Sequence, residues 1–451
     1  MLNLSHATAI VVGTIIGSGI FLVPQEMMRA VGSSSLVYLA WLVGGLLSLF
    51  GAMTYAELGA VRPYAGGEYV YLRDAYGNLT AFLYMWTWFA VAKPASIATV
   101  TVGFARTLGT FHALAFFETP ILLHPLTITW AQLVAIAATW FITGINYLGM
   151  RKAGNFQLIF TWLKIILVAF VIGTCFFGAT HGTFANFATT FSGARGGFAG
   201  FMVALIAALW AYDGWNDLNM VAGEVRNPQR NLPIALIAGV LLVGVLYIAV
   251  NAAIQFVMPA DAIAATPRPA LSAVATVLGT AGVQILTIGM ALSILAGLNG
   301  TIMSGARVPF AAARDKLFFQ RIAHIHPRFQ SPSTSLIVQA LLATALLLVV
   351  GRFQQLFELA IFAEWLFYCI TATTIFVYRR REPNADRPYR VWAYPIVPAL
   401  FIAAAAVLLY YTYISNLRNS LLGSAIILTG IPIFYAIRRN NSKNKLSSQP
   451  K

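Results

Sequence analysis

Apolar stretches of about 20 residues recur along the whole chain, separated by short polar segments that are rich in arginine and lysine. A helix needs roughly 20 apolar residues to cross the hydrocarbon core of a bilayer, and a barrel strand needs about half as many. The pattern therefore predicts an all-α integral membrane protein with twelve transmembrane helices. The predicted spans are 5–31, 36–59, 78–108, 127–148, 156–178, 197–224, 232–256, 278–304, 333–351, 355–378, 393–414 and 419–437.

A small polar cluster interrupts the first span. Residues 13–21 read GTIIGSGIF, and each glycine costs a helix interior roughly 1 kcal/mol relative to alanine. Backbone that leaves a helix at membrane depth must lie against protein or a water-filled cavity. The free amides at such a break suit a substrate carboxylate, and the free carbonyls suit an ammonium group. The alternative is close helix packing through the GxxxG pair of Gly13 and Gly17.

The sixth span carries a matching interruption. Residues 208–217 read ALWAYDGWND, which places two acids, an asparagine and a glycine inside an apolar run. Spans one to five and six to ten are equal in number, and an odd number gives the two halves opposite orientations. Interrupted helices at matching positions of an inverted repeat are the best sequence indication of a transporter's substrate site. This match favours a broken first helix over close packing.

Composition and charge support a membrane protein. Of the 451 residues, 59% are hydrophobic and 10% are charged, whereas a soluble domain carries about 25% charged residues. If the N-terminus is cytoplasmic, 21 of the 29 Lys and Arg residues fall in predicted inner loops and tails, and six fall outside. The positive-inside rule then predicts that both termini are cytoplasmic. It also accounts for the net charge of +15 without a nucleic-acid partner.

Lys164 lies deep in the fifth span. An intramembrane lysine costs about 3 kcal/mol or more unless it is paired or neutral, and it indicates a functional site by default. The alternative is a lysine that snorkels to the interface.

Two further ionisable groups lie within predicted spans. Lys93 precedes a helix-kinking proline in the third span, where a structural or gating role is favoured over substrate contact. Glu364 lies inside the tenth span and is expected to be functional, because an ionisable side chain is costly inside the membrane.

No sequence pattern indicates an enzyme, a metal site or a cofactor. The chain has no HExxH, no GxSxG and no P-loop lysine. Cys175 and Cys369 lie in apolar runs, so neither a disulfide framework nor a zinc site is expected. His324 and His326 lack the cysteines or paired acids of a metal site. A channel would show repeated filter residues in a multimer, and two mismatched broken helices fit alternating access better.

Several motifs together resemble one transporter family. The GTIIGSGIF motif resembles the first-helix motif of the amino acid–polyamine–organocation superfamily, and WAYDGWN at 210–216 resembles the sixth-helix motif of its L-type branch. That branch includes the light subunits of heteromeric amino acid transporters and their bacterial relatives. The loops at 62–69, 223–233 and 387–391 resemble the family's connecting segments in the family's order, so the resemblance covers almost the whole chain.

The resemblance implies a leucine-transporter-type fold. Two inverted five-helix repeats would occupy 1–180 and 195–380, and two additional helices would occupy 391–438. The polar segment 439–451 is expected to be a disordered cytoplasmic tail.

The resemblance also implies the residues of the site. Amides of the first-helix break would hold the substrate carboxylate, and carbonyls of both breaks would hold the α-ammonium. The residues concerned are Gly17, Ser18 and Gly19 for the carboxylate, and Ile15, Trp210, Ala211 and Asp213, beside Gly214, for the ammonium. Trp210 matches an outer gating aromatic residue that is usually phenylalanine. Asp213 has three open roles: binding a cationic side chain, binding a proton, or the favoured one of hydrogen bonding to the unwound backbone.

Lys164 falls where the L-type branch has a fixed lysine in place of the sodium ion that bridges helices one, five and eight in sodium-coupled members. The resemblance therefore implies that its partners are carbonyls of the first helix near Gly13 and a polar group on the eighth span, such as Ser293 or Asn299. The implied function is a sodium-independent secondary transporter of neutral L-amino acids in the plasma membrane, working as an exchanger by alternating access. The alternatives are a proton-coupled amino acid symporter and a permease for cationic amino acids or polyamines.

Two features refine this expectation. Trp210 narrows the pocket, and no unpaired wall charge beyond Asp213 is evident from the sequence, which favours small or medium neutral substrates. The outer loop 109–127 contains no cysteine, so no disulfide-linked heavy chain is expected.

Overall fold

The computed structural model describes residues 1–17, 19–122, 128–180, 182–349, 353–415 and 417–447. These ranges are mostly α-helical, as the recurring apolar runs predict. The described strands form one short antiparallel pair in the loop that follows the third span, namely β1 (Pro120–Leu122) and β2 (Ile128–Thr129).

The first half of the chain forms helices that follow the predicted spans and one of their connections. These helices are α1 (Leu4–Ile15), α2 (Gly19–Val31), α3 (Ser34–Val61), α4 (Glu68–Tyr76), α5 (Asn78–Thr87), α6 (Lys93–Leu108), α7 (Trp130–Tyr147) and α8 (Met150–Gly173). A π-helical turn, Trp88–Ala92, joins α5 to α6 directly before Lys93. The third span is therefore one long path with a local irregularity beside its buried lysine.

The second half repeats the alternation of interrupted and long helices and adds two at the end. Its helices are α9 (Gly197–Ala211), α10 (Asp217–Met220), α11 (Pro228–Val257), α12 (Ala260–Ala265), α13 (Pro269–Gly305), α14 (Arg307–Arg314), α15 (Ser333–Val349), α16 (Phe353–Arg381), α17 (Ile396–Ser415) and α18 (Leu417–Ser447).

Seven described helical segments are long and apolar enough to cross a membrane, and the pair α1 and α2, bent by 40°, raises the number to eight. The shorter apolar helices include α9 and α15. The ends of several elements differ from expectation. Helix α13 begins at Pro269, ahead of the predicted 278. Helix α18 continues to Ser447, so 439–447 is helical where a disordered tail was expected, and 448–451 lies outside the described residues.

The two interruptions lie against each other. Helix α1 ends at Ile15 and α9 ends at Ala211, and a turn separates α9 from α10. The hydroxyl of Thr14 donates to the carbonyl of Gly214 at 2.9 Å. Gly214 has a φ of +104°, and a Cβ atom there would lie 3.2 Å from the backbone carbon of Thr14. Glycine is therefore required for both its torsion and its close approach to helix α1.

Ion pairs cluster at the predicted cytoplasmic ends of the helices. Most of them join residues that are far apart in the chain, so they tie distant elements together. The pairs include Arg62–Asp74 (3.2 Å), Arg62–Glu382 (2.6 Å), Arg73–Asp315, Arg307–Glu224 (2.9 Å) and Arg379–Glu57 (2.7 Å). Glu68 differs from these acids, because it accepts from the Asn216 amide at 2.6 Å inside the protein.

Candidate functional site

A cavity of about 160 Å³ lies where the two interrupted helices meet. Its walls contain backbone of both breaks together with side chains from α6, α13 and α16. Most of the residues expected at the substrate site line it: Ile15, Gly17, Gly19, Trp210, Ala211, Asp213 and Gly214. The remaining one, Ser18, lies outside the described residues. The structure thus brings together residues that are about 200 positions apart in the sequence.

Gly19 allows the start of α2 to approach the end of α9. A Cβ atom at this position would lie 3.3 Å from the Trp210 ring and 3.4 Å from the Ala211 Cβ. Contacts of this length are tight, so any larger side chain would push into the cavity wall. The glycine therefore allows the start of α2 to line the cavity beside the end of α9.

Tyr247 joins the two breaks, and the sequence did not indicate it. Its hydroxyl lies 3.0 Å from the Ile15 carbonyl and 2.9 Å from the Ala211 carbonyl, and the side chain is buried. These are two of the carbonyls expected to hold the α-ammonium. A carbonyl oxygen has two lone pairs, so each keeps capacity for a second donor. A tyrosine within the apolar run of α11 gives no sequence signal of this contact.

Asp213 is held by partners from its own turn and from α16. The Tyr368 hydroxyl lies 3.1 Å from a carboxylate oxygen of Asp213 and 3.0 Å from the Asn216 side-chain oxygen. The Asp213 amide donates to the Trp210 carbonyl at 3.1 Å, so that carbonyl already accepts one bond. Tyr368 is a second site residue that the sequence did not indicate, because only the tertiary fold brings α16 to the break.

Lys164 lies behind the cavity, between α8 and the end of α1. Its ammonium donates to the carbonyls of Gly13 and Ile16, the latter at 2.5 Å, and the side chain is 1% exposed. The Ser293 hydroxyl on α13 also donates to Ile16, at 3.4 Å. These contacts agree with the expected partners on the first and eighth spans. The ammonium is turned towards α1, so the snorkelling alternative is wrong.

Asn299, the other expected partner on the eighth span, makes different contacts. Its amide donates to the Gln157 side chain at 2.7 Å and to the Ala153 carbonyl at 3.1 Å. Gln157 and Thr161 in turn donate to the Ala9 carbonyl, at 3.3 Å and 3.0 Å. The polar face of α8 thus contacts α1 over about two helical turns, and Lys164 forms the end of this series nearest the cavity.

The cavity wall carries more charge than expected. Lys93, Asp217 and Glu364 line it in addition to Asp213. Lys93 and Asp217 pair with each other, so it is Glu364 that departs from the expectation of no further unpaired wall charge. The Lys93 ammonium donates to Asp217 at 2.8 Å and lies 4.6 Å from the centre of the Trp88 ring. Glu364 accepts from the Ser96 hydroxyl at 3.1 Å. These side chains come from three separate elements, and their convergence has no signature in sequence spacing.

Metal ligation is not supported by the arrangement of the described side chains. Within the ranges that the structure describes, no group of three His, Cys, Asp or Glu side chains could hold a metal ion. Cys175 and Cys369 are both free.

Interrupted membrane helices that meet at a cavity, with glycines of both interruptions on its wall, define a class of protein: multi-pass membrane transporters. The chain belongs to the amino acid permease family, whose sequence model matches residues 2–437. Because the members of this family are transporters, the chain is a transporter and not an enzyme.

Curated relatives match over almost the full chain. The serine/threonine exchanger SteT of Bacillus subtilis (strain 168) is 33% identical over 448 residues, which cover 98% of this chain and 97% of the relative. The b(0,+)-type amino acid transporter 1 of Homo sapiens is 32% identical over 434 residues, covering 96% and 87%. The Asc-type amino acid transporter 1 of Mus musculus is 30% identical over 442 residues, covering 96% and 80%.

Proposed function

We propose that this chain is a sodium-independent secondary transporter that exchanges neutral L-amino acids across the plasma membrane by alternating access. The observation that carries the proposal is the shared cavity, which is lined by Gly17 and Gly19 of the first break and Gly214 of the second. Backbone amides and carbonyls at such breaks recognise the carboxylate and ammonium that all amino acids share. The names of the relatives, which include a serine/threonine exchanger, support the substrate class.

The proposed architecture is the leucine-transporter-type fold with twelve transmembrane helices. The repeats would be 1–180 and 195–380, in opposite orientation, followed by 391–438. The corresponding interruptions of the first and sixth spans support this division. Spans one, two, six and seven would rock against spans three, four, eight and nine. Both termini would be cytoplasmic, which the distribution of Lys and Arg supports.

Substrate recognition would use the backbone first and the cavity walls second. The amides of Gly17, Ser18 and Gly19 would bind the carboxylate. The ammonium would bind carbonyls of the two breaks, including those of Ile15 and Ala211. The Tyr247 hydroxyl lies within hydrogen-bond distance of both. The further carbonyls in this group would be those of Trp210 and Asp213, next to Gly214.

Trp210 would close the outer side of the site over the substrate. A cavity of about 160 Å³ is small beside the roughly 300 Å³ or more of pockets for drug-sized ligands. This size supports small or medium side chains. The walls would then select the side chain, while the backbone holds the groups common to every substrate.

Lys164 would replace a sodium ion at the end of α1. Its ammonium bonds to the carbonyls of Gly13 and Ile16 and shares Ile16 with Ser293, so it links the three elements α8, α1 and α13. A covalently attached cation at this position removes the requirement for an external one. The transporter would also work without a disulfide-linked heavy chain, because the loop 109–127 has no cysteine.

A second candidate function is transport of cationic amino acids or polyamines. The observation that favours it is the acidic wall, where Asp213, Asp217 and Glu364 face the cavity together with Lys93. A cationic side chain would balance part of this negative charge. This function remains the alternative, because one of the three acids already pairs with Lys93.

Counterflow in proteoliposomes tests the proposal. Vesicles containing the purified chain are loaded with one unlabelled amino acid from a panel, and entry of labelled serine or alanine is followed. We expect saturable entry when alanine, serine, threonine or leucine is inside, and little entry into empty or arginine-loaded vesicles. Protein-free vesicles are the control. If arginine or a polyamine drives counterflow better than alanine and serine, the cationic alternative replaces the proposal.

A further inference from the structure

Two helix faces bound the part of the cavity that is left for the substrate's side chain. Backbone of the two breaks lines one part of the wall, and α6 and α13, which pack against each other, line another. On each helix the lining positions are spaced by three and four residues, so they share one face. They include Ser96, Thr99, Val100 and Gly103 on α6, and Ile294, Gly297 and Thr301 on α13. With the carboxylate and the ammonium at the breaks, the side chain lies against these two faces.

Thr99 differs from neighbouring threonines in how its hydroxyl is bonded. Its side chain is 7% exposed, and within the residues that the structure describes its hydroxyl is buried without a hydrogen-bond partner. A threonine inside a helix usually donates to the carbonyl of the preceding turn. Thr101 donates to the Ile97 carbonyl at 2.8 Å, and Thr107 donates to the Gly103 carbonyl at 2.8 Å. Thr99 therefore lacks a bond that its own helix supplies to the threonines beside it.

Other polar groups on the cavity wall already have partners. The Ser96 hydroxyl donates to Glu364 at 3.1 Å, and the buried Tyr368 hydroxyl lies 3.1 Å from Asp213. A buried polar group without a partner destabilises the folded protein. Of the two buried hydroxyls among the described side chains of α6 and α16 on the wall, that of Thr99 thus keeps its bonding capacity for a ligand.

The surroundings of Thr99 allow it to bond to a substrate side chain. A threonine in a helix has two accessible χ1 rotamers, so its hydroxyl can turn towards a ligand in the cavity without strain. A hydroxyl is one donor and two acceptors, so it can donate to a substrate hydroxyl or accept from it. Gly297 leaves space on the α13 wall, because a Cβ atom there would lie 3.9 Å from the Lys164 ammonium nitrogen.

We propose that Thr99 is the residue by which this transporter distinguishes hydroxyl-bearing side chains from apolar ones of the same size. The inference rests on the proposed function and narrows its substrates to amino acids with a β-hydroxyl group. Valine has the shape of threonine with a methyl group in place of the hydroxyl, so it fills the cavity and leaves Thr99 unpaired. A site built to hydrogen-bond a substrate hydroxyl rejects the analogue that lacks it.

Competition in counterflow tests the inference. Proteoliposomes are loaded with unlabelled serine, and entry of labelled serine is measured against increasing external concentrations of serine, alanine, threonine or valine. For wild-type protein we expect half-inhibition by serine at about tenfold lower concentration than by alanine, and the same for threonine against valine, because one hydrogen bond separates the members of each pair.

Variants of α6 separate the hydroxyl from the shape of the side chain. Thr99→Val keeps the shape and removes the hydroxyl, so both concentration ratios should fall to about one. Thr99→Ser keeps the hydroxyl and should keep the preference for serine over alanine. Thr101→Val is the matched control, because it makes the same change on the same helix at a hydroxyl that bonds to Ile97. It should keep both ratios. If Thr99→Val does not fold, Thr99→Ala removes the hydroxyl without adding an atom and carries the same expectation.

Three results would overturn the inference. The first is equal inhibition within both pairs by the wild type. The second is unchanged ratios in the variants that lack the Thr99 hydroxyl, and the third is loss of the ratios in Thr301→Val instead, which would assign the selection to α13. Absence of counterflow with every amino acid marks failure of the proposed function. Counterflow with equal inhibition within each pair marks failure of this inference alone.

Discussion

At the scale of single residues, the site depends on side chains that are small or absent as much as on those that are charged. Gly19 keeps the start of α2 close to Trp210, and Gly214 keeps the second break close to Thr14. Lys164 supplies a cation where backbone carbonyls converge. Each of these positions gives a substitution with a defined physical consequence.

Gly19→Val should abolish substrate binding while the protein still folds. A Cβ atom added at Gly19 would lie 3.3 Å from the Trp210 ring, and the two methyl groups of valine would crowd both the ring and the carboxylate site. Ligand-induced thermal stabilisation in detergent with serine measures binding, and size-exclusion chromatography checks the fold. Gly144→Val is the control, because Gly144 is exposed on α7 with no atom within 4 Å of its Cβ position. Normal affinity in the Gly19 variant would place the site elsewhere.

Lys164→Ala should slow transport more than it weakens binding. The change removes the Lys164 donor from the Gly13 and Ile16 carbonyls, and Ser293 still donates to Ile16. A buried carbonyl that loses its donor costs about 1–3 kcal/mol. A loss of about 1.4 kcal/mol in the step that returns the carrier corresponds to a tenfold lower rate. Initial rates of counterflow, compared with substrate affinity in the same preparation, measure the two effects. Lys152→Ala, an exposed lysine near the start of α8, is the control. Undiminished transport would remove Lys164 from the mechanism.

At the scale of elements, the interruptions are structural units with their own internal bonds. The first break is bonded to the second by Thr14, and Tyr247 on α11 reaches a carbonyl in each. Backbone hydrogen bonds, such as the one from the Asp213 amide to the Trp210 carbonyl, stabilise the turn between α9 and α10. A change in one break is therefore transmitted to the other.

Gly214→Ala should lower both stability and affinity. Alanine at a φ of +104° is strained, and its Cβ would press against Thr14. We expect a destabilisation of about 1 kcal/mol or more, because the native torsion is incompatible with a side chain. Thermal unfolding and serine binding are measured against Gly173→Ala, at the end of α8, where a Cβ atom meets nothing within 4 Å. Equal stability of the two variants would contradict the strained turn.

The breaks could be predicted from the sequence, but several of their partners could not. Three closely spaced glycines, and acids inside an apolar run, are local signals that mark where a helix stops. The pairing of Lys164 with the first helix followed from the family resemblance, because a buried lysine needs acceptors but its cost alone does not say on which helix they lie. Tyr247, Tyr368 and the convergence of Lys93 with Asp217 depend on how distant helices pack, and tyrosine in an apolar run is ordinary. The sequence shows that Glu364 lies inside the tenth span, but it does not show which side chains of other helices lie next to it.

At the scale of the whole molecule, the helix order follows from the apolar runs, while helix ends depend on local detail. The extension of α18 to Ser447 illustrates this, since a polar segment continues a helix that an apolar run begins. The cytoplasmic ion pairs, such as Arg73 with Asp315 and Arg62 with Glu382, join segments whose proximity only the fold creates.

Transport should be independent of sodium. The position at the end of α1 holds the Lys164 ammonium, and a second cation there would meet like charge. Initial rates of counterflow in sodium and in choline buffers of equal ionic strength should agree within error. Potassium serves as a third condition that separates a specific sodium effect from one of ionic strength. A clear sodium requirement would contradict the proposed role of Lys164.

The attachment of the Lys164 cation to the chain has an energetic consequence for the cell. An ion gradient can do work only if the ion binds on one side of the membrane and leaves on the other. The ammonium at Gly13 and Ile16 is never released, so this position adds no driving force in either direction. An exchanger built this way can only make the inside-to-outside concentration ratios of its substrates equal. The cell must then maintain an abundant internal amino acid through other routes if it is to import a scarce one.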